Sequence, residues 1–263
     1  MATWASRRKF MYRGSITTII LVIVFTVFFS LYYKAPTCSD GKQNGREQGV
    51  DCGGSCVRLC QSAFLPARIG WGGGKFEKVA DGLYNVASYI VNPNTNGAAI
   101  NVPYKFSLFD NQGVLITERQ GTVMLPAHRN ALAFEPTLDT GKRVPAKATF
   151  EFLAAPQWFK SHDALDSLAI LDKKYNEYEN GDDENTSSLE VTLENKSLFP
   201  YKNIGVAVVL YDADANAIGF SRTRVDVVNP GGGREIAPFT WPFARQDRVV
   251  SIEVLPSIAP PHD

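Results

Sequence analysis

The chain opens with one uninterrupted apolar run and continues with short runs in which apolar and polar residues alternate. The opening run covers residues 16–33 and contains no charged side chain. At a rise of about 1.5 Å per residue, roughly 18 apolar residues approach the thickness of the hydrocarbon core of a bilayer. The pattern predicts a transmembrane helix over residues 16–33.

The composition of this run favours insertion into a membrane. Ile, Leu, Val and Phe dominate it, and at about −0.3 to −0.6 kcal/mol each they sum to roughly −4 to −7 kcal/mol. A cleaved signal peptide is the alternative, because it also has a basic start and an apolar middle. Its apolar region is usually shorter and ends in a small-x-small site, whereas this run ends in LYYKAPTC. We therefore expect an uncleaved anchor.

The alternating part of the chain contains a repeat. Residues 101–125 align with residues 203–227 at a constant offset of 102 positions and without a gap. Every second residue at the start of each copy is apolar, which is the period of a strand with one buried face. These positions are Val102, Tyr104, Phe106 and Leu108 in the first copy and Ile204, Val206, Val208 and Leu210 in the second. Each copy then reaches an aspartate and turn-forming residues, so we expect a β-hairpin in each.

Further short strands flank both hairpins, at residues 84–91 and 189–193, and 15 Pro and 21 Gly separate the apolar runs. Strands at this spacing predict one β-sandwich in each half, and each half has its own alternating core and is expected to fold separately. The predicted organisation is an N-terminal segment (1–15), the helix (16–33), a cysteine-rich segment (34–61), a first sandwich (62–156), a second sandwich (157–256) and a disordered tail (257–263).

Two family resemblances become visible at these strands. The second copy reads LEVTLENKS and then NIGVAVVLYDADANAIG, which resembles the FxLYD type of immunoglobulin-like domain of bacterial extracellular proteins. The match is Leu210, Tyr211 and Asp212, with Val208 where the family has Phe. The sequence IVNPN at residues 90–94 resembles the Asn-Pro-Asn element of the water-stress and hypersensitive-response domain, another small sandwich. The resemblance implies immunoglobulin-like β-sandwiches with no assigned catalytic site. Together with the apolar run, the expected fold is mostly β, with two tandem immunoglobulin-like β-sandwiches after one N-terminal transmembrane helix.

Four cysteines decide the orientation of the helix. Basic residues lie on both sides of the apolar run, so positive charge alone leaves the orientation open. The cysteines are clustered just after the run, as an oxidising compartment permits, and we expect an extracytoplasmic C-terminal part and a cytoplasmic N-terminus. The four are Cys38, Cys52, Cys56 and Cys60. Two disulfides are expected, with three connectivities open. A cytosolic metal knuckle is the alternative. The cysteines are separated by 13, 3 and 3 intervening residues, which are not the paired short spacings of zinc sites.

The same segment could also hold calcium. Residues 38–60 resemble a Cys-x-Asp-Gly-x-x-Asn-x-x-Glu…Asp-Cys-Gly-Gly-x-Cys pattern of bacterial surface proteins. Four oxygen-bearing side chains could converge on the ion, while glycines allow the tight backbone between them. The candidate ligands are Asp40, Asn44, Glu47 and Asp51, and the glycines are Gly41, Gly45, Gly53 and Gly54. The alternative is that disulfides alone stabilise a segment too short to own a core, with the acids solvated.

Charge and candidate chemistry narrow the function classes. The chain carries 27 basic and 27 acidic residues, so its net charge of zero gives no argument for a nucleic-acid partner. None of the three histidines has a metal-ligand spacing or stands beside a serine or cysteine in a recognised nucleophile elbow; they are His128, His162 and His262. Asp110 and Asp212 fall in predicted turns, where aspartate is favoured for backbone bonding alone. We expect no catalytic residue and, apart from calcium, no cofactor.

The function expected from the sequence is a non-catalytic, membrane-anchored, extracytoplasmic binding or structural module of the cell envelope. Its expected partners are the membrane, through the helix, and other envelope or surface proteins. One alternative is an accessory or assembly subunit that docks on an envelope complex through the helix or the sandwich edges. Another is an enzyme whose site is assembled from residues that are distant in sequence.

Overall fold

The computed structural model describes residues 4–161, 164–178, 186–241 and 248–257. These residues form one long N-terminal helix, two short 3-10 turns and fourteen strands. The chain divides into two compact units, residues 1–56 and residues 57–263. The predicted fold class, mostly β after one apolar helix, is confirmed.

Helix α1 spans Trp4–Tyr32 and is long and apolar enough over Arg7–Tyr32 to cross a membrane. It begins well before the predicted start at residue 16, because the preceding Arg, Lys and Met residues are good helix formers. The hydroxyls of Thr17, Thr18 and Thr26 donate to carbonyl oxygens four residues earlier, each at 2.9 Å. These polar groups are therefore satisfied within the helix, as a lipid environment requires.

The first sandwich consists of eight strands in two antiparallel sheets. They are β1 (Arg68–Ile69), β2 (Lys75–Ala80), β3 (Leu83–Val91), β4 (Gly97–Phe109), β5 (Leu115–Leu125), β6 (Asn130–Asp139), β7 (Lys147–Phe152) and β8 (Phe159–Lys160). In one sheet, β3 pairs with β1, β2 and β6. In the other, β4 pairs with β5, β7 and β8.

The second sandwich repeats this arrangement with six strands. They are β9 (Leu168–Tyr178), β10 (Thr186–Asn195), β11 (Tyr201–Tyr211), β12 (Ala217–Val228), β13 (Gly233–Trp241) and β14 (Ser251–Ser257). The sheets have the orders β13-β10-β9 and β12-β11-β14. Strands one, two and five of this half thus lie in one sheet and three, four and six in the other, an immunoglobulin-like distribution. The predicted tail at 257–263 lies outside the described residues except for Ser257.

The predicted repeat corresponds to the hairpins β4–β5 and β11–β12. All eight predicted inward positions, from Val102 to Leu108 and from Ile204 to Leu210, are at most 2% exposed. The aspartate after each first strand closes the turn: Asp110 Oδ1 accepts amides two and four residues later at 3.0 and 2.9 Å. Asp212 Oδ1 does the same at 2.9 and 2.8 Å. The turn function predicted for both aspartates is confirmed.

A buried asparagine performs the same task in each sandwich. Asn92 and Asn195, which are 3% and 0% exposed, lie at the ends of equivalent strands. The Asn92 side-chain amide donates to two carbonyl oxygens at 2.8 and 2.7 Å, and that of Asn195 to two at 2.8 and 3.0 Å. Each joins the loop after its own strand to the far end of the hairpin. Losing these bonds would remove a donor from carbonyls of buried residues such as Gly97 and Pro126, at about 1–3 kcal/mol per buried group left unpaired.

Trp158 belongs to the core of the first sandwich. Its side chain is 2% exposed and packs within that core, and Phe64 stacks on it with the ring centroids 6.1 Å apart. The Leu59 amide also donates to the Trp158 carbonyl at 2.8 Å. The first sandwich therefore includes residues on both sides of the predicted range 62–156.

The two sandwiches share a third apolar cluster. It contains Ala87, Leu132 and Phe134 from the first sandwich and Ala207, Val209, Phe220 and Leu255 from the second. Strand β11 is consequently buried on both faces, whereas its sequence predicts a single buried face. This shared cluster provides a physical reason for the two sandwiches to unfold together.

The first copy of the repeat has polar residues at the equivalent outward positions. Ala207 and Val209 correspond to Lys105 and Ser107 at the offset of 102 positions. Lys105 makes surface ion pairs with two glutamates at 3.1 and 3.0 Å. The same strand position is thus charged where it meets solvent and apolar where it meets the other sandwich.

The hairpin turns give a matched test of backbone strain. Gly113 has φ +77°, and its equivalent in the second copy, Ala215, has φ +60°, a conformation that costs a side-chain-bearing residue about 1–2 kcal/mol. We expect Ala215→Gly to raise the free energy of unfolding by about 0.5–1 kcal/mol and Gly113→Ala to lower it by about 1 kcal/mol. A Cβ at Gly113 would meet nothing within 4 Å, so Gly113→Ala changes only the conformational free energy of the backbone.

Urea titration of the detergent-solubilised, oxidised chain measures both changes. Two variants with shifts of the same sign would contradict the assignment of left-handed strain to Ala215.

Candidate functional site: the disulfide-bonded loop and the sandwich junction

The cysteine-rich segment is fully oxidised. Cys38 is bonded to Cys56, with their Cα atoms 5.7 Å apart, and Cys52 and Cys60 are disulfide-bonded too. No described cysteine is free. The predicted disulfides are therefore present, and the Cys38–Cys56 bond resolves the connectivity that the sequence left open. Cysteines in disulfides have no thiolate with which to bind zinc.

The glycines of this segment permit its tight path. Gly41, Gly45, Gly53 and Gly54 all have positive φ. At Gly54 a Cβ would lie only 1.6 Å from the carbonyl oxygen of Arg46. Only glycine fits here, because two backbone segments of the loop come this close together. The Cys-Gly-Gly sequence thus has a steric basis that does not depend on a metal.

The candidate calcium ligands bind the loop itself. Asp40 Oδ2 accepts the side-chain amide of Asn44 at 2.8 Å, and Glu47 Oε2 accepts the Asn44 backbone amide at 3.1 Å. Both carboxylate oxygens of Asp51 accept the Gly41 amide, at 3.1 and 3.0 Å. The structure therefore brings Asn44 together with Asp40 and with Glu47, whereas Asp51 binds the backbone at Gly41.

One group of three metal-ligating side chains gathers within 4.8 Å among the described residues, and it consists of Cys38, Glu47 and Cys56. Its two sulfur atoms form the disulfide, so this group offers a single carboxylate. Calcium binding by Asp40, Asn44, Glu47 and Asp51 stays a prediction, which calorimetric titration of the oxidised chain with calcium would test.

A second polar cluster, which we call the tyrosine latch, joins the two sandwiches. It consists of Tyr89, Asn130, Tyr211 and Glu253. The Tyr89 and Tyr211 hydroxyls donate to the two oxygens of Glu253 at 2.6 and 2.9 Å, and Asn130 donates to the Tyr89 hydroxyl. Burial, together with the nearby carboxylate, raises the pKa of both tyrosines, so they remain protonated donors. The latch fixes the orientation of one sandwich on the other.

An aromatic contact supports the latch. Trp71, in the glycine-rich loop before β2, has its ring centroid 5.4 Å from that of Tyr89 and 6.4 Å from that of Phe220. The Lys75 ammonium lies 5.6 Å from the Trp71 ring centroid, within cation–π range. The glycine-rich loop is thus a packed part of the junction.

The sequence provides little chemistry for catalysis at either place. His128 lies in an exposed turn with φ +55°, and His162 and His262 lie outside the described residues. The latch tyrosines and Glu253 are engaged with one another across the junction. The absence of catalytic activity stays a prediction.

Comparison with known proteins adds little. No family model matches the chain, and no curated protein matches it. A structure of a beta-glucuronidase from glycoside hydrolase family 2 is 9% identical, with 82% of this chain and 26% of that chain covered and a TM-score of 0.26. A putative beta-galactosidase from Bacteroides fragilis is 10% identical, with 74% and 41% covered and a TM-score of 0.24. This chain spans less than half of either protein, and neither likeness carries an argument about fold or activity.

The electrostatics of the disulfide-bonded loop give a direct test. The hydrogen bond from the Asn44 side chain is the main reason why the pKa of Asp40 lies below its ordinary value. We expect Asn44→Ala to raise the pKa of Asp40 towards that value. A lowered folded-state pKa means that the ionised carboxylate stabilises the loop above its unfolded pKa and that this stabilisation is lost as the pH falls through the folded pKa.

NMR titration of the Asp40 carboxyl carbon measures the shift. Gln43→Ala is the control, because the Gln43 side chain donates to the Gln48 carbonyl and is not among the hydrogen-bond donors to Asp40. An Asp40 pKa that is equal in the wild type and in Asn44→Ala would show that the hydrogen bond is absent in solution.

Proposed function

We propose that this protein is a non-catalytic binding or structural module of a bacterial cell envelope, anchored by its N-terminal helix with the two sandwiches outside the cytoplasm. One observation carries the proposal: a helix apolar enough to cross a membrane is followed directly by cysteines that are all oxidised. The cytosol keeps thiols reduced, so a disulfide-bonded segment belongs on the other side of the membrane.

The two sandwiches suit a binding role because they form one compact body. Their shared apolar cluster and the tyrosine latch hold them together. A pre-organised surface loses less conformational entropy when it binds a partner. The FxLYD-like strand end at Leu210, Tyr211 and Asp212 agrees with a bacterial extracellular module, and there Asp212 closes a turn.

The orientation is tested on spheroplasts. We expect added protease to remove everything after the helix while an N-terminal epitope tag stays protected, because the basic N-terminus faces the cytoplasm. Maleimide should label no cysteine before reduction and all four after it. A C-terminal region that stays protected in intact spheroplasts, but is cleaved after detergent lysis, would reverse the orientation.

A second function, as an assembly subunit, is favoured by one surface feature. Leu198 and Phe199 in the β10–β11 loop are 85% and 75% exposed. The loop is nevertheless ordered: the Ser197 hydroxyl donates to the Phe199 carbonyl at 2.7 Å, and the Gly231 amide donates to the Ser197 carbonyl at 3.0 Å. Two large apolar side chains on a fixed loop are typical of a protein interface.

The equivalent loop of the first sandwich has a partner within the chain. There the side chain of Asn94 accepts the Leu65 amide at 2.9 Å and donates to the Leu65 carbonyl at 2.9 Å, so a neighbouring segment covers the loop. By this comparison, a neighbouring envelope protein would occupy the corresponding place beside Leu198 and Phe199.

Photo-crosslinking in intact cells tests the assembly role. A benzoylphenylalanine at position 199 should give a discrete crosslinked product, and Leu198→Ser in the same chain should reduce that product several-fold. The same probe at Val144, which is 70% exposed but has no large apolar neighbour in sequence, is the control. Equal crosslinking at both positions would remove the assembly role.

A further inference from the structure

The face of the second sandwich that meets the first changes character along its strands. Near the junction it is apolar, and beyond the junction it becomes polar and cationic, because alternate residues of a strand share a face. On β12, Phe220 is followed by Arg222 and Arg224; on β11, Ala207 is preceded by Gly205 and Asn203; on β14, Leu255 is followed by Ser257.

The polar residues beyond the junction line a groove, which we call the arginine groove. It has a volume of about 520 Å³, and its opposite wall is formed by Thr122 and Met124 of β5. This volume lies within the ~300–1,000 Å³ of small-ligand sites. The groove also needs a glycine at position 205, because a Cβ there would lie only 2.7 Å from Ser257 Oγ.

The lining carries two positive charges and no carboxylate. One terminal nitrogen of Arg224 donates to Asn203 Oδ1, and among the described residues neither Arg222 nor Arg224 forms an ion pair. Asp226 follows on the same strand but does not line the groove. Glu135 accepts the buried hydroxyl of Tyr104 at 2.8 Å and does not line the groove either. Arg222 lies close enough to Tyr104 to oppose the rise that burial causes in the pKa of that hydroxyl, but it forms no ion pair with Glu135.

The repeat shows that the fold does not require these arginines. At the offset of 102 positions, Arg222 corresponds to Gln120 and Arg224 to Thr122, in a hairpin of the same topology. Neutral polar residues therefore suffice at these strand positions. The positive charge belongs to the second sandwich alone, at the place where a groove exists to receive a ligand.

We propose that the arginine groove is a binding site for a ligand with carboxylate or phosphate groups, held by Arg222 and Arg224. Guanidinium groups bind such oxygens through paired, charge-assisted hydrogen bonds. The Cα atoms of two arginines two residues apart on one strand lie roughly 7 Å apart, so the two side chains can bind two anionic groups of one ligand. Thr122, Thr223 and Asn101 add neutral donors around them. This inference rests on the proposed binding function and names its ligand class.

The test uses the full oxidised chain in zwitterionic nanodiscs and inorganic pyrophosphate as the probe. Calorimetric titration should show saturable one-to-one binding that Arg222→Gln and Arg224→Thr each weaken roughly tenfold, since each removes a charged hydrogen-bonding partner. Both replacements are the residues that the first copy carries, so the fold should tolerate them. Arg224→Thr also loses the exposed hydrogen bond to Asn203, and the thermal unfolding midpoint of each variant verifies that it is folded.

Arg119→Gln is the matched control. It removes one positive charge from the other face of β5, outside the groove, and should bind pyrophosphate as the wild type does. No saturable binding by the wild type, or wild-type affinity in Arg222→Gln and Arg224→Thr, would overturn the proposal. Equal weakening in all three variants would also overturn it, since it would show attraction by net charge alone.

A second arm separates the sources of the anionic group. Nanodiscs with embedded protein are mixed with phosphatidylglycerol vesicles: capture that pyrophosphate competes away indicates a lipid headgroup, and pyrophosphate binding without capture indicates a soluble anion. The protease test of orientation is independent of both arms. Binding in a chain of reversed orientation would remove only the envelope role, and failed binding in a correctly oriented chain would remove only the arginine groove.

Discussion

The burial of strand β11 on both faces is the constraint on which the rest of the folded body depends. Its inward residues complete the core of the second sandwich, and Ala207 and Val209 on its outer face enter the cluster shared with the first. Burying a valine side chain contributes about 1.5–3 kcal/mol, a sizeable part of the stability of a domain. The tyrosine latch and the arginine groove both exist because this contact sets one sandwich against the other at a fixed angle.

Local alternation was enough to predict the hairpins and their inward residues, since a strand with one solvated face has period two whatever it packs against. The second buried face was missed, although Ala207 and Val209 signal it when they are compared with Lys105 and Ser107. The latch could not be found this way at all. Tyr89 and Glu253 are separated by 164 positions, and neither stands in a distinctive pattern. Only the packing of the sandwiches brings them together.

The cysteine-rich segment shows a different limit. The number and clustering of its cysteines predicted disulfides, but connectivity depends on distances that spacing does not encode. Its acids have oxygen atoms that can bind either calcium or backbone amides, and both uses favour the same Asp, Asn and Gly residues. In the structure Asp40 and Asp51 bind amides. The glycine at position 54, by contrast, has one explanation, the carbonyl of Arg46 that leaves no room for a side chain.

The buried position of Asn195 has a practical consequence for making the protein. Asn195, Lys196 and Ser197 form an acceptor sequence for N-linked glycosylation, which a eukaryotic secretory host reads on the unfolded chain. A glycan placed there would have to occupy space inside the second sandwich and would replace one of the two side-chain amide hydrogens that bond the loop and the end of the hairpin. Ser197→Ala would abolish this acceptor while keeping the backbone amide that binds Asn195 Oδ1, so glycosylation at Asn195 can be prevented without replacing the asparagine itself. A second acceptor sequence, at residues 185–187, would need its own substitution.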